Sequence, residues 1–253
     1  NCSKVLLPPQ ENMMKILIMC GGRGKRLGST TKSVPKPLVP FNGRTILEIK
    51  IERYIQQGYN EFIFCIGYKG NLIREAITSR YPNLLAHFPD AGENAGILNR
   101  LHHAKDLFDS HVLMTYGDTF SDLETNELHN THIDTDNEAT IVITKIQNPF
   151  GLVEYDKNDK VTVFREKPVL NYYMGNAIIN KSSLDLVNEN ILTMENGKGL
   201  VNYFKILSAM QKLGIYYHSG SEITFNTKEE LKLAERQLVR FYTTPIQNTK
   251  NEK

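Results

Sequence analysis

Two groups of residues in this 253-residue chain have the types and spacing needed to hold phosphates. The first is a basic loop rich in glycine, Gly-Gly-Arg-Gly-Lys-Arg, which begins at Gly21 after an apolar run. Glycine lets backbone N–H groups approach phosphate oxygens closely, and Arg23, Lys25 and Arg26 add positive charge. The loop has neither the Gly-Lys-Ser/Thr of a Walker motif nor the GxGxxG of a dinucleotide fold. It therefore predicts a site for the phosphates of a nucleoside triphosphate.

The second group is a lysine framed by prolines, Lys36 in Pro-Lys-Pro-Leu, together with a carboxylate, Asp118, in Tyr-Gly-Asp. The proline rings restrict the backbone, so the Lys36 ammonium is expected at a fixed place. A reaction at a phosphate needs neutralised charge and fixed geometry, which a lysine and a carboxylate-bound metal ion can supply. The structural alternatives are an ordinary turn for the glycine loop and a capping role for Asp118.

Alternating strands and helices are predicted around these groups. Buried strands are expected to start near residue 14 or 15 and to cover 61–67 and 111–116, with helices over 45–57 and 71–79. Repeated β-α units form a doubly wound, mostly parallel Rossmann-like α/β sheet, whose ligand crevice lies at the carboxyl ends of the strands. Asp118 and the glycine loop are therefore expected at the same edge of the sheet.

The second half of the chain is predicted to have an α+β arrangement of strands and helices. Strands are predicted over 139–146, 161–164 and 173–179, and an amphipathic helix over 227–241. We expect a single domain over 14–243 that includes a smaller α+β acceptor-binding part. A flexible extension is predicted over 1–13 and a polar tail over 244–253.

Composition excludes several classes of function. A net charge of +2 gives no basic field for a nucleic acid, and no apolar run reaches the roughly 20 residues that cross a bilayer. We expect a cytoplasmic enzyme without a membrane or nucleic-acid partner.

Cysteine and histidine are not expected to do chemistry here. Cys2, Cys20 and Cys65 form no CxxC pair, so buried thiols are predicted at 20 and 65, with neither a disulfide nor a zinc site. The pairs His102-His103 and His129-x-x-His132 are predicted to be solvated at the surface.

The loop and the lysine together resemble the sugar-1-phosphate nucleotidyltransferase family, whose signature GGxGxRL precedes a PKP element. A match to the family's EKP element at Glu166-Lys167-Pro168 extends the resemblance to the second half. The resemblance implies the nucleotide-diphospho-sugar transferase fold and a small phosphorylated acceptor. Because members of the family commonly assemble, it also implies a possible homo-oligomer.

Site residues follow from the resemblance position by position. It implies catalytic roles for Arg26, Lys36, Asp118 and Lys167, and metal ligation by Asp118 and Asn226. It implies nucleotide contacts at Gly21, Gly22, Arg23, Gly24, Lys25, Arg26, Lys36, Asn99, Arg100 and Gly117. It implies acceptor contacts at Glu166, Lys167, Gly175 and Asn176.

Within the family the chain is most similar to the glucose-1-phosphate cytidylyltransferases. Gly-Tyr-Lys-Gly at 67–70, the segment 90–101 and Thr-Tyr-Gly-Asp at 115–118 match their motifs. This likeness implies CTP as the nucleotide donor and Mg²⁺ as the metal.

Three departures separate the chain from that branch. Leu98-Asn99 replaces a Gly-Gly pair, roughly two dozen residues before Asp90 are missing, and Asn226 stands where a second metal-binding aspartate is usual. An amide oxygen can ligate Mg²⁺ but brings no charge.

The chain also resembles cytidylyltransferases of capsule phosphoramidate biosynthesis, which implies the phosphorylated amide of L-glutamine as acceptor, although no residue specifies glutamine. An ordinary sugar 1-phosphate acceptor and a catalytically silent nucleotide-binding subunit are the alternatives.

Overall fold

The structure, a computed structural model, describes residues 14–24, 33–41 and 43–243. The predicted extension over 1–13, the predicted tail over 244–253, and Lys25 and Arg26 of the glycine loop lie outside the described residues. No described helix is both long and apolar enough to cross a membrane.

The first half of the chain alternates strands and helices as predicted. Its elements are β1 (Lys15–Met19), β2 (Pro40–Phe41), β3 (Arg44–Thr45), α1 (Ile46–Gln56), β4 (Glu61–Cys65), α2 (Gly70–Arg80), β5 (Leu85–His87), α3 (Ile97–His103) and β6 (His111–Tyr116). The strands predicted near residue 15 and over 111–116 are confirmed at these bounds, and the helices over 45–57 and 71–79 within two residues.

The second half is richer in strands. Its elements are β7 (Thr119–Ser121), α4 (Thr125–Ile133), β8 (Ala139–Gln147), β9 (Leu152–Tyr155), β10 (Val161–Arg165), β11 (Val169–Asn180), α5 (Glu189–Leu192), α6 (Lys198–Ala209), β12 (Leu213–Tyr217), β13 (Glu222–Thr224) and α7 (Lys228–Thr243). The strand predicted over 173–179 extends four residues further towards the amino terminus.

Seven of these strands form one sheet in the order β12-β8-β11-β6-β1-β4-β5. Only β11 runs antiparallel to its neighbours β6 and β8, and the other pairs in this sheet are parallel. The predicted doubly wound, mostly parallel sheet is therefore confirmed. The carboxyl ends of β1, β4 and β6 meet at one edge, where a ligand crevice is expected.

The sheet is buried on both faces, which explains the continuous apolar strands. Ile16 and Ile18 of β1 pack with α1 and α2 on one side, and Leu17 packs with α3 and α6 on the other. A third cluster joins β7, β13 and α7. Helices thus cover both faces of the sheet.

The start of α1 shows how local sequence fixes an element. The Thr45 hydroxyl accepts a hydrogen bond from the Glu48 backbone N–H at 3.2 Å, and the Glu48 carboxylate accepts from the Thr45 backbone N–H at 2.7 Å. This capping box satisfies two donors at the first turn of the helix. It fixes the point at which the β2–β3 connection becomes a helix.

The prediction for the cysteines is confirmed, and the prediction for two of the histidines is wrong. Cys20 and Cys65 are buried free thiols, as predicted. The prediction of solvated histidines is wrong for His129 and His132. His132 is buried and contacts Thr140 Oγ1 and Asn180 Oδ1, each at 2.9 Å, while His129 Nε2 lies 2.7 Å from His111 Nε2. The pattern of α4 misled because both histidines face β6 and β11 rather than solvent.

Candidate active site

A cavity of about 730 Å³ opens at the carboxyl ends of β1 and β6. The residues that line it come from the glycine loop, the Pro-Lys-Pro turn, the segment 93–100, the end of β6, the loop 195–197 and the start of α7: Met19, Cys20, Gly21, Gly22, Arg23, Gly24, Lys36, Pro37, Glu93, Asn94, Ala95, Ile97, Arg100, Tyr116, Asp118, Glu195, Asn196, Gly197 and Asn226. The structure therefore brings the glycine loop, Lys36, Asp118 and Asn226 together, although they are far apart in sequence.

Three polar side chains converge on the floor of this cavity. The Lys36 ammonium donates to Asp118 Oδ2 at 2.7 Å and to Asn226 Oδ1 at 3.2 Å. Its nitrogen also lies 5.1 Å from the centre of the Phe225 ring, a distance at which a cation is attracted to the ring face. Lys36 is only 6% exposed, whereas the Asp118 side chain is 34% exposed towards the cavity. The lysine is thus held in place and the carboxylate remains accessible.

Strand pairing explains why Asn226 reaches Asp118 across more than a hundred residues. Thr224 of β13 pairs with Thr119 of β7, so the residues that follow one strand lie beside those that precede the other. The Asn226 backbone N–H donates to Glu230 Oε2 at 2.6 Å in the first turn of α7. This contact fixes the position from which the amide oxygen meets Lys36.

The glycine loop is packed against a buried arginine. The Arg100 guanidinium is 4% exposed and donates to the carbonyl oxygens of Gly21 (3.3 Å), Gly92 (2.8 Å), Glu93 (3.3 Å) and Ile66. A Cβ on Gly21 would lie 2.2 Å from Arg100 Nη1, so this position excludes a side chain. Arg100 also lines the cavity, so its predicted contact with the nucleotide stays a prediction. Its hydrogen bonds to backbone carbonyls make it an anchor for the loops that surround the cavity.

A second contact joins the glycine loop to the opposite wall. Arg23 forms an ion pair with Glu93, and its guanidinium carbon lies 5.1 Å from the centre of the Tyr68 ring. Gly22, by contrast, has no atom within 4 Å of a Cβ built on it. Its backbone is therefore open on the side where a phosphate could approach.

Several cavity residues were missed by the sequence analysis. Glu93, Tyr116, Glu195 and Asn196 line the site, and the sequence analysis assigned a role to none of them. Asn196 is brought there by tertiary contact, since its carbonyl accepts from the Ile97 backbone N–H at 2.8 Å. The sequence signals were the place of Tyr116 in Thr-Tyr-Gly-Asp and that of Glu93 in the segment 90–101, both of which match the cytidylyltransferases.

The predicted acceptor residues do not join this group. The Lys167 side chain is 62% exposed in the turn between β10 and β11, and its nearest carboxylate is Glu166 at 3.8 Å. Neither residue lines the cavity. Both side chains are exposed in a turn outside this cavity, and their predicted contacts with an acceptor stay predictions.

Two further predicted acceptor residues and two predicted nucleotide residues also lie outside the lining of this cavity, and their roles stay predictions. Asn176 is 2% exposed, and its side chain bonds to Thr115 and to the Met174 carbonyl, so it has no face towards a ligand. The close neighbour of Gly175 is the Tyr116 ring, which would lie 2.5 Å from a Cβ there. Asn99 and Gly117 are absent from the cavity lining, and Gly117 is buried against Met19 and Cys20.

The floor of the cavity suits a hard divalent cation. Asp118 and Asn226 offer a carboxylate and an amide oxygen, and both already contact a cation, the Lys36 ammonium. Mg²⁺ in nucleotide enzymes typically takes one or two protein oxygens and completes its coordination with phosphates and water. Among the described residues there is no cluster of three or more His, Cys, Asp or Glu ligands. The donor set fits Mg²⁺ held jointly with a nucleotide.

Comparison with known proteins defines the class. The chain belongs to the nucleotidyl transferase family, whose sequence profile matches residues 15–248, and it is a nucleotidyltransferase with the nucleotide-diphospho-sugar transferase fold. The predicted family resemblance is confirmed at this level.

Individual relatives differ in the nucleotide and sugar that their names give. The chain is 29% identical over 180 residues to D-glycero-α-D-manno-heptose 1-phosphate guanylyltransferase of Campylobacter jejuni, covering 70% of this chain and 79% of the relative. It is 29% identical over 214 residues to glucose-1-phosphate cytidylyltransferase of Salmonella typhimurium, covering 72% and 81%. The crystal structure of HddC from Yersinia pseudotuberculosis complexed with GMP-PN superposes with a TM-score of 0.67 at 20% identity, covering 89% of this chain and 99% of that one.

Proposed function

We propose that the protein transfers CMP from CTP to a small phosphorylated acceptor and releases pyrophosphate. An acceptor phosphate oxygen forms a new bond to the α-phosphorus, while the bond from that phosphorus to the bridging oxygen of pyrophosphate breaks. The observation that supports this best is the convergence of Lys36, Asp118 and Asn226 in one cavity with the glycine loop.

Each residue has a defined task in that reaction. Lys36 is fixed between Asp118 and Asn226, so its ammonium can neutralise phosphate charge without reorganising. The open backbone of Gly22 lets phosphate oxygens approach N–H groups of the loop. Arg100 keeps that loop in place from below.

Charge balance supports a triphosphate that arrives with Mg²⁺. The described lining residues include three cations, Arg23, Lys36 and Arg100, and three carboxylates, Glu93, Asp118 and Glu195. They provide no excess positive charge for a polyanion. We propose that Asp118 and Asn226 hold Mg²⁺, which when bound neutralises phosphate charge and aligns the leaving group.

CTP is proposed as donor because the segment 90–101, which forms part of the cavity wall, matches the cytidylyltransferases. The names of the relatives include both cytidylyl and guanylyl transfer, so GTP is the alternative that must be compared. A panel of CTP, GTP, UTP, dTTP and ATP with Mg²⁺ and candidate acceptors, read by pyrophosphate release, tests the proposal. Faster use of another nucleotide would overturn the choice of CTP and leave the family intact.

For the acceptor we propose the phosphorylated amide of L-glutamine, phosphoglutamine, as used in capsule biosynthesis in the cytoplasm. The support is the resemblance described above together with the departures from the sugar enzymes, among them Asn226. Glucose 1-phosphate is the second candidate because a relative carries that name. Parallel assays with CTP and Mg²⁺ decide between them: preferred use of glucose 1-phosphate would place the protein with the sugar enzymes. Nucleotide binding without turnover on any acceptor would indicate the silent subunit.

A further inference from the structure

A buried lysine lies beneath the candidate active site. Lys50 of α1 is 3% exposed, and its ammonium donates to Thr115 Oγ1 at 2.5 Å. Among the residues that the structure describes, no carboxylate lies within ion-pair distance of this ammonium. A buried charge without a partner is costly to fold, so its presence on an otherwise apolar helix face needs a reason.

The charge of Lys50 sets the direction of a chain of hydrogen bonds. An ammonium can only donate, so the Thr115 hydroxyl accepts from Lys50 and uses its own proton towards Asn176 Oδ1, at 2.6 Å. With its oxygen occupied, Asn176 donates through Nδ2 to the Met174 carbonyl at 3.3 Å. One cation thus orders two side chains and a backbone carbonyl.

This chain of hydrogen bonds joins β6, which leads to Asp118 on the cavity floor, to its neighbour β11. Thr115 and Asn176 are paired in register across β6 and β11. Strand β6 ends at Tyr116 and Asp118 follows it two residues later, and both residues line the cavity. In β11 the register with β8 shifts between Tyr173 and Ala177, and within that bulge Gly175 has a φ of +77° and lies against the Tyr116 ring.

We propose that Lys50 is a positioning residue for nucleotidyl transfer. Through Thr115 and Asn176 it holds the end of β6 that precedes Asp118, together with the bulge of β11. Lys50 itself does not line the cavity. The kinetic part of this inference rests on the proposed function, whereas its structural part does not.

The pKa of Lys50 predicts a pH dependence of kcat that tests the positioning role. Burial lowers its pKa to about 7, and the negative charge of Asp118 opposes that shift. The other titratable groups that face it are neutral over the working range, because burial raises the pKa values of the Cys20 thiol and of the Tyr54 hydroxyl. Lys50 is charged below its pKa, so a positioning role predicts that kcat falls as pH rises through that value. A bound anionic nucleotide moves the fall to higher pH.

The direct test replaces Lys50 by methionine, which keeps the length of the side chain and removes its charge. Lys205→Met, at an exposed site on α6, is the matched control. We expect kcat of Lys50→Met to fall about 10- to 100-fold, as for other losses of alignment, with KM for the nucleotide nearly unchanged and the alkaline fall of kcat abolished. Hydrogen exchange of amides 173–177 is expected to become faster in Lys50→Met and not in Lys205→Met.

Turnover by the wild-type enzyme tests the proposed function. Amide exchange tests the structural role of Lys50 whether or not turnover is found. Unchanged exchange at 173–177, or a kcat equal to that of the control, would overturn the inference. If Lys50→Met does not fold, Thr115→Ser and Thr115→Val replace it, since serine keeps the bridging hydroxyl and valine removes it. Equal exchange and equal kcat in these two variants would count against the role of the chain.

Discussion

Adjacent glycines in the phosphate loop are expected to respond oppositely to a single methyl group. A Cβ on Gly21 would lie 2.2 Å from Arg100 Nη1 and 2.4 Å from Cζ, whereas a Cβ on Gly22 would have no atom within 4 Å. Gly21→Ala should therefore displace the guanidinium, and Gly22→Ala should not. The pair differs only in the position of one methyl group.

The magnitude follows from the bonds of Arg100. To reach a normal contact distance the guanidinium must move by about 1 Å, which breaks or weakens its bonds to the Ile66 and Gly92 carbonyls. A hydrogen bond to a charged donor contributes about 1.5–3 kcal/mol, so the loss of two with partial relaxation amounts to about 3 kcal/mol. For a chain of this length, that lowers Tm by roughly 6–12 °C.

Thermal and urea unfolding of the two variants measure this difference. Gly22→Ala is expected to stay within about 0.5 kcal/mol of wild type in unfolding free energy. If its backbone contacts phosphate, Gly22→Ala should instead raise KM for the nucleotide. A Gly21→Ala protein as stable as wild type, or equal destabilisation in both variants, would refute the role assigned to Arg100.

Further substitutions test the floor of the cavity and the histidine cluster. Lys36→Met should reduce kcat/KM by at least about tenfold, because a charge-assisted contact worth about 1.5–3 kcal/mol is lost; turnover near the wild-type value would remove Lys36 from the site. Asp118→Asn should abolish Mg²⁺-dependent turnover with a circular dichroism spectrum like that of wild type, and an unfolded variant would show a structural role. Asn226→Asp should lower the Mg²⁺ concentration needed for half-maximal activity, since a carboxylate adds charge to an existing oxygen ligand; an unchanged Mg²⁺ titration would contradict metal binding there. Burial, with His129 and His132 nearby, lowers the pKa of His111 to about 4, so the unfolded chain binds more protons than the folded one between about pH 6.5 and 4 and stability falls as pH is lowered through that range; the fall in Tm should be shallower in His111→Asn and unchanged in the exposed control His103→Asn.

Local patterns were sufficient for the elements of the sheet. Strands buried on both faces must be continuously apolar, so β1, β4 and β6 were visible as runs, and the helical spacing of apolar residues predicted α1. Because the carboxyl ends of parallel strands share one edge, the sequence also indicated that the glycine loop and Asp118 lie close together. These inferences needed only neighbouring residues and one rule of topology.

Only the tertiary structure decided which contacts the other polar side chains make. Asn226 reaches Lys36 because β13 pairs with β7, a contact that no spacing encodes. Arg100 carried a motif typical of ligand binding, yet backbone carbonyls from three separate segments surround it. The sequence analysis assigned no role to Lys50, which is buried and bonded to Thr115, itself bonded to Asn176 of β11. A polar side chain goes where its hydrogen bonds are satisfied, and the partners that satisfy it come from distant parts of the chain.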